Sequence, residues 1–189
     1  MQSIAIIGSG ICGLTIANGL KDTKAEVTVY DKGRRPGGRA ASRTIGGCVF
    51  DHGAPAIPNE VAKHFVTDTR LSNEQWLLDN SSIHCPIGGV SNFGRDIADG
   101  LKVQQSTTIL GCQRNGEDFF LSLSEGRSVS SIDTIILTAP PLQSAALIQE
   151  IEPTLGEELR ETCKMSPAWV VLFKIADQFS TENYAFAPS

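Results

Sequence analysis

A glycine turn lies between an apolar run and a helical pattern a few residues after Met1, and it limits the folds that this chain can adopt. Ile4–Ile7 has the composition of a buried parallel strand, and three glycines follow it at the spacing GxGxxG. Gly8 allows a tight exit from the strand, Gly10 allows close backbone approach, and Gly13 lets the following helix pack on the strand. The turn therefore predicts an α/β dinucleotide-binding fold with a pyrophosphate at the helix N-terminus.

A second strand and an acidic residue follow the predicted helix. Val27–Tyr30 is β-branched and aromatic, and Asp31 ends it, eighteen residues after Gly13. An aspartate at this place can accept both hydroxyls of an adenosine ribose and would repel a 2′-phosphate. The alternative interpretation is a glycine turn that binds nothing, with Asp31 as a solvated strand end.

The stretch after Asp31, "DKGRRPGGRAASR", favours a loop where a plain NAD-binding domain usually continues into a helix. Pro36, Gly37 and Gly38 prevent helix growth. Glycines and guanidinium groups together predict a second anion-binding loop, with Gly37–Gly38–Arg39 contacting the cofactor. A solvated basic loop is the alternative, and we favour it for Arg34 alone. The four cations of this loop are Arg34, Arg35, Arg39 and Arg43.

Composition excludes several other classes of protein. A formal net charge of -5 argues against a nucleic-acid binder, which needs a basic face. The five cysteines form no C-x-x-C pair, so we expect no metal site and a reducing compartment. The apolar stretches are too short for a membrane span or signal peptide, which predicts a cytoplasmic protein.

These motifs resemble a known group of proteins. "GSGICG", Asp31 and "RRPGGRAAS" together resemble the FAD-binding signature of amine-oxidase and renalase-like flavoproteins. Less specific matches follow in the same order along the chain. They are "FDHGAPAI", "PIGGVSNFGRDIADGL", "TILGCQRNGEDFFLSL", "DTIILTAPPLQ" and "SPAWVVLFKI".

The resemblance implies FAD as cofactor and a set of contact residues. The glycine turn would surround the pyrophosphate, and Asp31 would bind the ribose. The second loop would lie near the phosphates and ribityl chain, the "DHGA" turn near the isoalloxazine, and the backbone of one later strand would hold adenine. The implied cofactor-binding residues are Gly8, Ser9, Gly10, Ile11, Cys12, Gly13, Asp31, Lys32, Gly38, Arg39, Ala40, Gly53, Ala54 and Ile109.

The implied activity is hydride removal from a small-molecule substrate, either a dihydronicotinamide dinucleotide or an amine. No catalytic acid–base set is visible, which agrees with chemistry carried by a flavin. His52 is a candidate substrate contact, although an ordinary turn residue is the commoner case. The alternative function is a nucleotide-binding module or inactive remnant without redox turnover. A plain NAD-dependent dehydrogenase ranks third, because the glycine–arginine loop disfavours it.

The implied fold class is α/β of glutathione-reductase type, with a Rossmann-like FAD-binding domain and an incomplete second domain. We predict a discontinuous FAD-binding domain at 1–50 and 95–148, and a partial substrate domain at 51–94 and 149–189. Within the latter, Trp169–Ile175 should be a mostly buried strand whose uncovered edge allows self-association. The family's closing Gly-Asp turn is missing, so we expect this chain to retain FAD weakly.

Overall fold

The computed structural model describes residues 1–54, 57–62, 71–78, 81–86 and 88–174. Its strands, in chain order, are β1 (Ser3–Ile7), β2 (Glu26–Tyr30), β3 (Ser42–Ile45), β4 (Cys48–Asp51), β5 (Ile57–Pro58), β6 (Leu71–Leu78), β7 (Ser81–Pro86), β8 (Val103–Gln104), β9 (Ile109–Asn115), β10 (Asp118–Leu123), β11 (Ser128–Ile132) and β12 (Thr134–Leu137). Its helices are α1 (Ile11–Leu20), α2 (Asn59–Ala62), α3 (Ser91–Ala98), α4 (Pro141–Leu147) and α5 (Pro153–Thr162).

The chain divides into two compact units. The first contains Met1–Gly38 and Gly94–Pro167. The second contains Arg39–Phe93 and the segment that begins at Ala168. Helix α5 packs on α4 in the first unit. The domain boundaries that we predict from the sequence remain a prediction, since a compact unit is not by itself a functional domain.

The first unit is built on a parallel sheet with the strand order β12-β1-β2-β8. Strand β1 lies between two parallel neighbours, with Ile6 opposite Val29 on one side and Ile136 on the other. Strands paired on both sides and covered on both faces read as continuous apolar runs, which explains the sequence of Ile4–Ile7. The predicted order of strand, glycine turn, helix and strand is confirmed, and so is the α/β Rossmann-like fold.

Two hydrophobic layers cover this sheet. Ile4 and Ile6 face helix α1 and pack with Ala17. Ala5 and Ile7 point to the opposite face, because side chains alternate along a strand, and there they pack with the antiparallel sheet β11-β10-β9. The core therefore lies on both faces of the parallel sheet, and the strand ends are left to form a site.

The second unit contains a hairpin and a small sheet. Strands β3 and β4 pair antiparallel, with Gly46 and Gly47 between them at positive φ. Strands β5, β7 and β6 form the other antiparallel sheet, in that order. Between Asp31 and Ser42 the chain forms no helix, as the proline and glycines predict.

The strand prediction for Trp169–Ile175 is wrong over its described part. Residues 163–174 have no helix or strand, and Ile175 lies outside the described residues. Trp169 is 98% exposed and Val171 is 78% exposed. A strand requires a neighbour for its backbone N–H and C=O groups, and within the described chain this segment has none. Self-association of the protein stays a prediction.

Among the described residues, no helix combines the length and apolar composition that crossing a bilayer requires.

Candidate functional site

The glycine turn leaves β1 and starts helix α1 with its backbone held on both sides. Gly8 has a φ of +113°, and its N–H donates to the Tyr30 carbonyl at 2.8 Å. Gly10 is the N-cap, and in the described structure no side chain caps it. A Cβ on Gly10 would meet no atom within 4 Å. The first N–H groups of a helix have no partner within the helix, and an anion at this N-terminus would be stabilised by them.

Gly13 is where the helix and the turn approach most closely. A Cβ at Gly13 would overlap the Gly8 carbonyl oxygen and lie 2.7 Å from Thr138 Oγ1. The Thr138 hydroxyl also contacts the turn, with its Oγ1 3.0 Å from the Gly8 carbonyl oxygen. No other residue type fits at Gly13 without moving the turn, so the third glycine of the motif has a packing role here.

Asp31 ties the turn to the ends of two strands. Its Oδ2 accepts the Ser9 N–H at 2.5 Å and the Ser9 hydroxyl at 2.8 Å. Its Oδ1 accepts the Gly33 N–H at 2.6 Å. A carboxylate offers about four acceptor positions, so about one remains for a ligand. The sequence-based expectation that Asp31 accepts both ribose hydroxyls exceeds what this network leaves.

Gln105 orders the hydrogen bonds around Ser9. Its Nε2 donates to Ser9 Oγ at 3.2 Å, and the only Ser9 hydroxyl proton then goes to Asp31. Gln105 Oε1 is buried and has no hydrogen-bond partner among the described residues. Backbone bonds hold the same region, because the Asp31 N–H donates to Gln104 O at 2.9 Å and Thr107 N–H donates to Asp31 O at 2.8 Å.

The loop that carries Pro36 lies directly on the glycine turn. Gly37 N–H donates to the Ser9 carbonyl at 2.8 Å, and Gly37 forms an isolated parallel bridge with Gly10. A Cβ on Gly38 would lie 3.0 Å from Gly10 Cα. The structure therefore brings the two glycine motifs of the sequence together. Among the charged neighbours, Lys32 and Arg34 are exposed.

Cys12 and Ile109 occupy different environments. Cys12, near the start of α1, is exposed at the turn. Ile109 begins β9, and its side chain packs in the core with Tyr30. The predicted contact of Ile109 with adenine involves only its backbone, so this packing is compatible with it. Burial raises the pKa of the Tyr30 hydroxyl, which stays protonated.

In the second unit, the predicted site residues are joined by backbone contacts. Ala54 N–H donates to the Arg39 carbonyl at 3.0 Å, and a Cβ on Gly53 would overlap that same carbonyl. Ala40 is buried, whereas Arg39 is exposed. His52 N–H donates to the Ala41 carbonyl at 3.1 Å, which makes His52 part of this turn.

The hairpin of the second unit also holds the "GGVS" segment. Asp51 Oδ1 accepts the Ser42 hydroxyl at 2.6 Å and the Val90 N–H at 2.9 Å. Ser42 Oγ in turn accepts the Ser91 N–H at 2.9 Å. Gly89 has a φ of +101°, and a Cβ there would lie 2.5 Å from Ser42 Oγ. This motif is thus explained by close packing inside the unit.

Three residues near the turn were missed by sequence reasoning. Gln105 and Thr138 follow the ends of β8 and β12, and ligands of open α/β sheets bind at such strand ends. That rule could have drawn attention to both. Gly94 lies inside a short helix, where glycine costs about 1 kcal/mol relative to alanine, and this anomaly was the available signal.

Comparison with known proteins agrees with this geometry. Residues 6–69 match the family model of the NAD(P)-binding Rossmann-like domain. A protein from Exiguobacterium sp. 255-15 assigned as a protoporphyrinogen oxidase superposes with a TM-score of 0.63 at 12% identity, over 82% of this chain and 63% of its own. A putrescine oxidase with putrescine bound gives 0.62 at 12% identity, over 76% of this chain and 59% of its own.

These comparisons show the fold. Residues 6–69 match an NAD(P)-binding Rossmann-like domain, and the fold of the chain is similar to that of two oxidases. It spans about three fifths of the length of either oxidase.

Proposed function

We propose that this chain binds FAD and belongs to an FAD-dependent oxidoreductase of amine-oxidase or renalase type. The observation that carries the proposal is the loop of Pro36–Gly38 lying on the Gly8–Gly13 turn, with Gly37 N–H bonded to Ser9. A Rossmann-like domain that binds only a nicotinamide cofactor usually has a helix at this place. Two glycine backbones side by side suit the close approach of a ligand rich in phosphate.

The residues present suit the adenosine diphosphate part of such a ligand. Among the described residues no side chain caps α1, so the N–H groups of its first residues, Ile11 and Cys12, would be offered to a pyrophosphate. Asp31 keeps about one acceptor position, which suits a single ribose hydroxyl. Ile109 offers backbone groups to adenine. These assignments rest on the contacts within the first unit.

The residues predicted near the flavin end complete the proposal. Gly38 and Arg39 would hold phosphate and ribityl oxygens, Ala40 and Lys32 would lie beside them, and the turn at Gly53–Ala54 would approach the ring. FAD, when bound, supplies the acceptor for a hydride. The task of the protein is then to hold the ring and orient a dihydronicotinamide or amine substrate.

A test compares flavin retention and reduction in the wild-type chain. The fluorescence of added FAD should fall on binding, and only part of the protein should keep flavin through gel filtration, because retention is expected to be weak. The visible band of the bound flavin should bleach anaerobically with one of the two substrate classes. Binding without bleaching would leave a nucleotide-binding module without redox turnover. A colourless protein that also fails to bind added FAD would contradict the proposal.

The arginine loop gives a matched pair for the same assay. Arg39 and Arg34 are both exposed cations of this loop, but only Arg39 follows Gly38. Arg39→Ala should weaken FAD binding by about 1.5–3 kcal/mol, the range for hydrogen bonds to charged groups. Arg34→Ala should change it by less than about 0.5 kcal/mol, as for a solvated charge. Equal losses would indicate a diffuse positive field instead of a defined contact.

A further inference from the structure

Helix α3 contacts the Pro36–Gly38 loop at backbone distance. A Cβ on Gly94 would overlap Gly37 Cα, lie 2.9 Å from Gly37 N and lie 3.2 Å from Pro36 O. All of these are main-chain atoms, which cannot rotate aside as a flexible side chain can. The contact therefore exists only because position 94 has no side chain.

The loop in turn contacts the glycine turn. Gly37 N–H donates to Ser9 O at 2.8 Å, and a Cβ on Gly38 would come within 3.0 Å of Gly10 Cα. Three main-chain segments are thus layered in the order α3, loop and turn. We call Gly94, Gly37, Gly38 and Gly10 the glycine stack.

We propose that Gly94 is a positioning residue for the dinucleotide site, acting through the glycine stack. Gly94 is buried, so it cannot touch a ligand at the turn, and any effect on binding must pass through the loop. Packed interiors transmit small shifts, because they contain few voids that could absorb them. A methyl group at position 94 would displace the loop and with it the N–H groups that the turn presents. This inference rests on the proposed function, since it concerns affinity for the ADP part of the cofactor.

The first test compares Gly94→Ala with Gly19→Ala, using ADP as the probe. Both glycines lie in helices and have no positive φ, so alanine favours the helix at both positions. A Cβ on Gly19 meets nothing within 4 Å. The dissociation constant for ADP should rise about tenfold or more in Gly94→Ala, as overpacking predicts, and stay unchanged in Gly19→Ala. Equal affinities in the two variants would overturn the proposal.

Limited trypsin digestion separates displacement of the loop from general destabilisation. Arg39 follows the glycine stack directly, and Arg114 is an exposed arginine of β9 far along the chain. In Gly94→Ala, cleavage after Arg39 should accelerate while cleavage after Arg114 keeps its wild-type rate. Equal acceleration at both sites would mean that Gly94 supports only the stability of the unit.

A second pair of variants tests the contact between the loop and the turn, on which the role of Gly94 depends, and it does so even where Gly94→Ala does not fold. Gly38 and Gly46 have φ values of +57° and +55°, so alanine is equally strained at both. Gly46 has open space around it, whereas Gly38 faces Gly10. Gly38→Ala should lose ADP affinity and Gly46→Ala should not, and equal losses would overturn the proposal. Failure of the wild-type chain to bind ADP would instead contradict the proposed function, and the digestion pattern would still test the glycine stack.

Discussion

Two segments of this chain are similarly apolar and have different structures. "SIAII" forms β1, the central strand of the first unit, and Ile6 is fully buried. "AWVVLF" at 168–173 forms no strand, and Trp169 is almost fully exposed. Strand β1 has β2 and β12 as hydrogen-bonding neighbours, and within the described chain the second segment has no such neighbour. An apolar run thus indicates a possible strand, and a partner determines whether the strand forms.

One side chain from each of the two segments' surroundings can be removed to compare their contributions to the free energy of unfolding. Leu14 is fully buried beneath the turn, so Leu14→Ala should lower the free energy of unfolding by about 2–5 kcal/mol. Trp169→Ala should change it by less than about 0.5 kcal/mol, because the ring is 98% exposed. Urea denaturation followed by circular dichroism measures both. A large loss in Trp169→Ala would show that this segment packs against something in solution.

The turn itself provides the next contrast, between two glycines of α1. Gly13→Ala should destabilise the chain by about 1–3 kcal/mol, because the new methyl would overlap the Gly8 carbonyl. Gly19→Ala should stabilise it by about 0.5–1 kcal/mol, since open space surrounds that position and alanine favours the helix. The same denaturation assay applies. If both variants gained stability, the close approach of helix and turn would be refuted.

Cysteine reactivity gives the smallest and most local contrast. Cys112 is buried in the core, and burial raises the pKa of its thiol to about 11. The raised pKa keeps the thiol protonated up to strongly alkaline pH, and the protonated form does not alkylate. Iodoacetamide at mildly alkaline pH should therefore modify exposed Cys12 and spare Cys112, as mass spectrometry can show.

Two controls complete the alkylation experiment. Unfolding in urea should make Cys112 react, and ADP should slow the reaction of Cys12 if the nucleotide occupies the turn. Modification of Cys112 as fast as Cys12 in the folded protein would contradict the core described for the first unit.

The sequence predicts the elements that depend on local pattern. The GxGxxG spacing, the β-branched run before Asp31 and the helix-breaking Pro36 each act within a few residues, and the structure confirms all three features. The glycine stack and the hydrogen bonds around Ser9 depend instead on contacts between residues far apart in the sequence. Gln105 and Ser9 are 96 positions apart, and Thr138 and Gly8 are 130 apart. No local pattern could pair them.

The hydrogen bonds of Asp31 could not be predicted from the sequence either. The sequence predicts its place at the end of β2. Only the structure shows the three hydrogen-bond donors within the protein that fill most of its acceptor capacity. The refined expectation is a carboxylate that holds the turn and binds about one ligand hydroxyl.

Calorimetric titration of ADP into the wild-type chain, Asp31→Ala and Asp133→Ala tests whether a nucleotide binds at the Gly8–Gly13 turn. Asp133 is a fair control, because its Oδ2 accepts the Ser3 N–H at 2.6 Å in the same unit, at the other end of β1. We expect the wild-type chain to bind ADP, and we expect binding to weaken by about 1–3 kcal/mol in Asp31→Ala and by less than about 0.5 kcal/mol in Asp133→Ala. Absent wild-type binding, or equal affinity in all three proteins, would contradict a nucleotide site on the Gly8–Gly13 turn.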